Sequence, residues 1–291
     1  MFGTWDYVRA TTSFSLQAEA PVVHVRTSLS KMCNRQTGVL VFFLAAITST
    51  SSSDQSSIDA NTVGEATRSV VPIVCLVRIG ENGHVVRYRA VGTAFLVDNA
   101  GTFVTAAHVI GNFDNGQRTD CHAAIAFPPS DPDMLRNGQW SALPPGEWEL
   151  PPKKVKWFPF DPKNCHEDSG TDVAVCKTRQ ALAAEAVPHE AITVSTVRPV
   201  SGTKVFFVGF GQQAMNATTT AATIAGFSET DRKRAIVIDK SAWPGASGSP
   251  IFASDGKQII GMITEAGIGD TSGRSFGVTG ETILAVLAKV K

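Results

Sequence analysis

GTAFLVDNAGTFVTAAH, residues 92–108, carries the reading of the fold. Its first half continues an upstream run of β-branched and apolar residues, so that 84–98 reads as one long strand. Asp98-Asn99-Ala100-Gly101 has the composition of a hairpin turn, and 102–105 is the returning strand. His108 stands at the end of that return. VVPIVCLVRI at 70–79 has the same texture, and further strand candidates fall at 172–178, 203–209, 221–227, 235–238, 250–253, 258–264 and 275–279. Helical periodicity is confined to 281–290, where Ile283, Val286 and Leu287 share one face. The expected fold class is therefore all-β with a terminal helix.

Composition agrees. A chain of 291 residues with 43% hydrophobic content can bury a substantial core, and 25 glycines and 15 prolines punctuate the short apolar runs. The 26 basic and 26 acidic residues cancel, so no long-range field favours a nucleic acid or an anionic membrane, and neither partner is expected. No period of about 20 to 50 residues is visible, which excludes solenoids and propellers.

The N-terminal region reads as an address. GVLVFFLAAI at 38–47 is too short for the roughly 20 residues that cross a bilayer. Arg35 precedes it and Ala45, Ala46, Thr48, Ser49 and Thr50 follow it, the layout of a secretory signal peptide over about 32–50. Met32 is the expected start, because 31 residues otherwise stand ahead of the signal. Residues 1–65 are thus an extension with a Ser-rich linker at 49–60, folded structure begins near 66, and the destination is secreted or periplasmic with no stable membrane span after cleavage.

If Cys33 leaves with the signal, Cys75, Cys121, Cys165 and Cys176 remain, with three possible pairings. Two disulfides suit an oxidising compartment. Cys121–Cys165 is the favoured pair, since both fall between the candidate His and Asp; Cys75 and Cys176 sit in apolar runs that suit small buried thiols. Cys121-His122 and Cys165-His166 do not make a zinc site, because strand neighbours point to opposite faces. No metal or cofactor is expected. Residues 112–169, with Pro128, Pro129, Pro132, Pro144, Pro145, Pro151 and Pro152, read as a surface insertion.

Three segments carry chemistry. A serine hydroxyl that attacks a peptide at neutral pH needs a base, an orienter for that base and donors for the oxyanion. His108 is the base, its imidazole matched to proton transfer near pH 7. Asp172 opens the run Asp-Val-Ala-Val-Cys and is the orienter, with Asp168 as the fallback. Gly245-Ala246-Ser247-Gly248-Ser249-Pro250 provides Ser247 as nucleophile in a glycine turn, with the backbone N–H groups of Gly245 and Ser247 as the oxyanion hole. Ser249 competes on sequence, but Pro250 holds it extended.

TAAH at 105–108, DVAV at 172–175 and GASGSP at 245–250, in that order, resemble the trypsin-like serine peptidases, particularly the bacterial branch of glutamyl endopeptidases and high-temperature-requirement proteases. GTAFLV at 92–97, VFFVGFG at 205–211 and IIGMIT at 259–264 extend the resemblance over about 68–291. It implies two six-stranded antiparallel β-barrels, about 68–185 and 190–280, with the site in the cleft between them and a protein or peptide as substrate. It also implies that Thr264 supports the carboxylate, that 264–266 pair with substrate as an added strand, and that Ser241 floors the specificity pocket with Glu265 and Ala266 at its rim.

The departures are as informative. Ala246 stands where members activated by propeptide cleavage carry an Asp that pairs with the new N-terminus, so the oxyanion loop should be preformed or ordered by substrate. No His falls at Ile263 or Thr264, against strict Glu preference, and Ser241 is not an Asp, against Lys or Arg. A small or medium apolar residue before the scissile bond is expected. With Lys291 directly after the helix, neither an appended peptide-binding domain nor regulated trimers are expected, and the protein is read as a monomer. The competing readings are a blocked binding module on this scaffold, and an esterase, whose Ser, Asp, His order is absent.

Overall fold

The computed structural model describes residues 58–79, 85–114, 122–127, 148–150, 156–182, 192–211, 217–228 and 234–290, all within one compact unit spanning 55–291. The expected signal peptide, Met32, Cys33, Cys121 and the seven prolines from Pro128 to Pro152 lie outside the described residues. No helix among the described residues is long and apolar enough to cross a membrane.

Two antiparallel strand systems follow one another along the chain. The first holds β1 (Val70–Ile79), β2 (Val85–Leu96), β3 (Thr102–Ala106), β4 (His122–Phe127), β5 (Trp148–Leu150), β6 (Lys156–Pro159), β7 (His166–Asp168) and β8 (Val173–Lys177). Its ladder runs β6-β4-β1-β2-β3-β8, with β5 added on β2 and β7 on β8. Phe160, just after β6, bridges Thr178, just after β8, and Arg179 donates its N–H to the Pro159 carbonyl at 2.9 Å, so six strands close on themselves. The second system holds β9 (Thr193–Val194), β10 (Lys204–Phe210), β11 (Ala217–Phe227), β12 (Ile236–Ile238), β13 (Pro250–Ala253), β14 (Gln258–Ala266) and β15 (Ser275–Thr279). Its order β13-β10-β11-β12-β15-β14 is closed by β13 pairing β14, with β9 lying parallel on β14. Two six-stranded barrels result, the all-β double barrel expected from the sequence.

Each barrel is filled by the alternate residues of its strands. Phe95, Phe103, Phe206, Phe207 and Phe252 are at most 0% exposed, and each such side chain contributes roughly 1.5–3 kcal/mol by leaving water. Phe206 stacks on Phe252 with ring centres 5.1 Å apart, and Phe103 meets Phe160 edge to face at 5.0 Å. One continuous apolar cluster includes Phe95, Phe103 and Val175 from the first barrel and Phe206, Phe210 and Met262 from the second.

Three short α-helices are found among the described residues. α1 (Ala60–Thr67), capped by the Asp59 carboxylate, precedes β1; α2 (Ala107–Asp114) follows β3; α3 (Gly280–Leu287), capped by Thr279, follows β15 and buries Ile283 and Val286. Folded structure thus begins before residue 66: Ile58, Val63 and Ala66 pack on the core, which the polar composition around them concealed. Just past α3, Lys289 reaches the Asp168 carboxylate of β7 at 2.9 Å.

Two further readings are corrected. Residues 112–169 are not simply a surface insertion, because β4, β5, β6 and β7 come from them and Ala123, Ala124, Ile125 and Ala126 are buried between β1 and β6. The small alanines of β4 carry little β signal, yet fit a site flanked by strands on both sides. Cys165 pairs with Cys176 rather than Cys121, at a Cα separation of 4.4 Å. The β7–β8 register, His166 opposite Val175, sets Cys165 directly across from Cys176. Cys75 is also disulfide-bonded, its partner lying outside the described residues.

Candidate active site

β3 and β8 bring the first two candidates together. Their register sets Ala106 opposite Val173, so His108, in the first turn of α2, and Asp172, one residue ahead of β8, emerge at the same end of the pair. His108 Nδ1 lies 2.8 Å from Asp172 Oδ2, and the His108 backbone N–H donates to Oδ1 at 2.9 Å. Ala107 donates its N–H to the Asp172 carbonyl at 3.0 Å. A carboxylate can only accept, so in the neutral imidazole this bond places the proton on Nδ1 and the lone pair on Nε2. The imidazole is 46% exposed and the carboxylate 14%, which leaves Nε2 reachable while the orienting bond is sheltered.

Asp172 is the only described non-glycine residue at positive φ, +58°. Asp tolerates this left-handed conformation better than most residues, and here it ends the turn Asp168–Asp172 rather than opening the strand. Asp168 is committed elsewhere. Its carboxylate accepts from Lys289 and from the Thr171 N–H at 3.2 Å, and the Lys289 hydrogen bond, chiefly, holds its pKa below the usual carboxylate value.

Loop 241–249 is a series of tight turns ahead of β13. Ala246 donates its N–H to the Trp243 carbonyl at 2.9 Å and Ser249 to the Ala246 carbonyl at 2.9 Å, while Gly248 donates to Ile263 on β14 at 2.8 Å. The loop is docked on the first barrel: Thr93 of β2 donates its N–H to the Ser247 carbonyl at 2.9 Å. Gly248, at φ +90°, has no room for a side chain, since a Cβ would stand 2.0 Å from the Thr93 carbonyl oxygen and 2.5 Å from Thr105 Oγ1. Thr105 is three residues before His108, so this contact seats the Ser247 turn beside the strand that delivers the imidazole.

Ser247 is partly exposed, whereas Ser249 is 0% exposed and its hydroxyl is buried without a partner. Only the former can meet a substrate. Among the described residues the N–H groups of Gly245 and Ser247 make no hydrogen bond, although those of Ala246, Gly248 and Ser249 all do. Gly245 reaches this arrangement at φ +97°. Two unpaired donors flanking a reachable hydroxyl is the arrangement that stabilises a tetrahedral oxyanion.

The substrate-binding candidates lie along loop 241–249 and the end of β14. Ser241 is exposed, and its hydroxyl donates to the Ala242 carbonyl at 3.2 Å. Thr264 is 4% exposed and donates to the Phe276 carbonyl at 3.3 Å, while Glu265 and Ala266 are half-buried. Glu265 is held in a two-point pair by Arg234, Nε to Oε2 at 2.8 Å and Nη2 to Oε1 at 2.6 Å, and that guanidinium lies 5.1 Å over the Phe276 ring.

Sequence reasoning missed three contributors: Arg234, Thr93 and Ser275. The fully buried Ser275 hydroxyl accepts from the Ala242 N–H at 2.6 Å and donates to the Lys240 carbonyl at 2.6 Å, bracing the start of loop 241–249. A hydroxyl inside an apolar strand, as in SFGVT, was the available signal.

Residues 92–262 match the trypsin-like peptidase domain, more than half of the chain. The chain belongs to the trypsin-like peptidase family. Solved structures agree on the fold of this family at low identity. The crystal structure of Deg5 is 17% identical with a TM-score of 0.52, covering 80% of this chain and 93% of that one. The active form of the Rv3671c protease from M. tuberculosis is 20% identical with a TM-score of 0.52, covering 81% and 87%. The HtrA-type protease AlgW with a decapeptide is 16% identical with a TM-score of 0.53, covering 79% and 66%. No curated protein matches the chain.

Proposed function

We propose that this member of the trypsin-like peptidase family is an exported serine endopeptidase. The single observation that carries catalysis, rather than binding alone, is the pair of unpaired N–H groups of Gly245 and Ser247 beside a reachable Ser247 hydroxyl. In this reading His108 Nε2 takes the Ser247 proton as Oγ bonds to the substrate carbonyl carbon. Asp172 holds the imidazole tautomer and stabilises the imidazolium. The carbonyl oxygen, now anionic, accepts from Gly245 and Ser247. His108 returns the proton to the leaving amine, and water releases the acyl group by the same steps in reverse.

Export is supported by the Cys165–Cys176 disulfide and by the signal-like run at 38–47. Residues 264–266 of β14 are read as the strand that pairs with the substrate backbone, since the described ladder partners of Glu265 and Ala266, Phe276 and Ser275, lie on β15 alone. Arg234 neutralises Glu265, and Ser241 brings no charge, which favours a small or medium apolar residue before the scissile bond. A fluorophosphonate probe followed by mass spectrometry tests the reading. An adduct on Ser247 is expected, absent in Ser247→Ala, with turnover of a peptide library lost by about 10⁶-fold in that variant. A folded protein with no adduct, or a library cleaved after Arg or Glu alone, would overturn the catalytic and specificity parts respectively.

A further inference from the structure

Ala246 cannot form the ion pair that orders this loop in relatives activated by propeptide cleavage, yet the donors of Gly245 and Ser247 stand ready. Something else must hold them. We propose that Thr93 is the positioning residue that locks the oxyanion loop in its donor-out form, an inference that rests on the catalytic reading above.

Thr93 lies on β2 and is 0% exposed. Its hydroxyl donates to the Gly245 carbonyl at 2.9 Å and accepts from the Phe210 N–H of β10 at 2.9 Å. Its backbone N–H donates to the Ser247 carbonyl at 2.9 Å, and its carbonyl accepts from the Thr105 hydroxyl at 2.7 Å. Every polar group of this one first-barrel residue is spent on the loop, on the second-barrel strand behind it, or on the strand leading to His108.

The consequence follows from peptide planarity. A loop peptide can flip only if its carbonyl exchanges places with the N–H of the next residue, so a carbonyl that already has a buried partner fixes that N–H as well. The carbonyls of Gly245, Ala246 and Ser247 are all taken, by the Thr93 hydroxyl, the Ser249 N–H and the Thr93 N–H. The Ser249 bond fixes the peptide that carries the Ser247 N–H, and the two Thr93 bonds fix the peptides on either side of it. Held on both sides in this way, the peptide between Ala246 and Ser247 keeps the Ser247 N–H turned outward. The Phe210 N–H fixes the Thr93 hydroxyl in turn, since an oxygen that accepts that bond has its single proton left for Gly245.

The test compares Thr93→Val, which keeps the shape and removes the hydroxyl, with Thr93→Ser, which keeps the hydroxyl. Steady-state kinetics on a peptide substrate, the rate of fluorophosphonate labelling and the denaturation midpoint are read for each. Thr93→Val is expected to lose about 10- to 100-fold in kcat and labelling rate with KM within about threefold, because the hole is felt chiefly in the transition state. Thr93→Ser is expected to recover kcat to within about threefold. Unchanged kcat in Thr93→Val, a loss confined to KM, or an equal loss in both variants would overturn the proposal. Should Thr93→Val not fold, Thr93→Ala against Thr93→Ser carries the same comparison. A wild-type protein that is not labelled at all would instead sink the catalytic reading, so the two failures are separable.

Discussion

Ser247 and Ser249 are two residues apart in the same hexapeptide, and burial divides them. Strand β13 begins at Pro250, so Ser249 is drawn into the interior, where its hydroxyl faces Gly209 and a Cβ on that glycine would stand 2.0 Å from it. A buried hydroxyl without a partner costs about 1–3 kcal/mol. Ser249→Ala is therefore expected to raise unfolding free energy by about 1 kcal/mol in urea denaturation while Ser247 still takes up the fluorophosphonate. The residue types needed for the site were readable one by one, whereas the left-handed turn of Asp172 and the unpaired state of two N–H groups were not, since both depend on which hydrogen bonds the loops find on folding.

At the scale of elements, the β7–β8 hairpin decides both the disulfide and the setting of Asp172. Cys165 and Cys176 are 11 residues apart and enclose Asp172 between them. Closing a loop of that length restrains the unfolded chain by about 3 kcal/mol in the chain-entropy account. Replacing both cysteines by alanine is expected to lower stability by about that amount, read from denaturant unfolding. The hairpin escaped sequence analysis because His166-Glu167-Asp168 is short and polar, and its pairing with β8 is a matter of register. By contrast β1, β13 and β15 were legible to the residue, because short apolar and β-branched runs with flanking turn chemistry mark them locally.

For the whole molecule, the decisive fact is that the first barrel's core runs on to one face of the second barrel, whose own interior around Phe207, Ile224 and Ile251 is a separate cluster. The cluster joining Phe95 and Phe103 to Phe206 and Met262, reinforced by Thr93 bonding across to β10 and loop 241–249, couples their stabilities. Native-state hydrogen exchange is expected to give β3 and β10 the same opening free energy, within about 0.5 kcal/mol, as one cooperative unit. Two distinct values would mean that the barrels unfold separately. The sequence by itself determined the all-β class, the strands marked by apolar runs and turns, and the three segments that supply His108, Asp172 and Ser247, because those signals reside in side-chain type and short-range spacing. Only the tertiary structure decided which cysteines meet, that β4 is core, and that Thr93 braces Gly245, because each depends on residues distant in sequence competing for the same partners once the chain is packed.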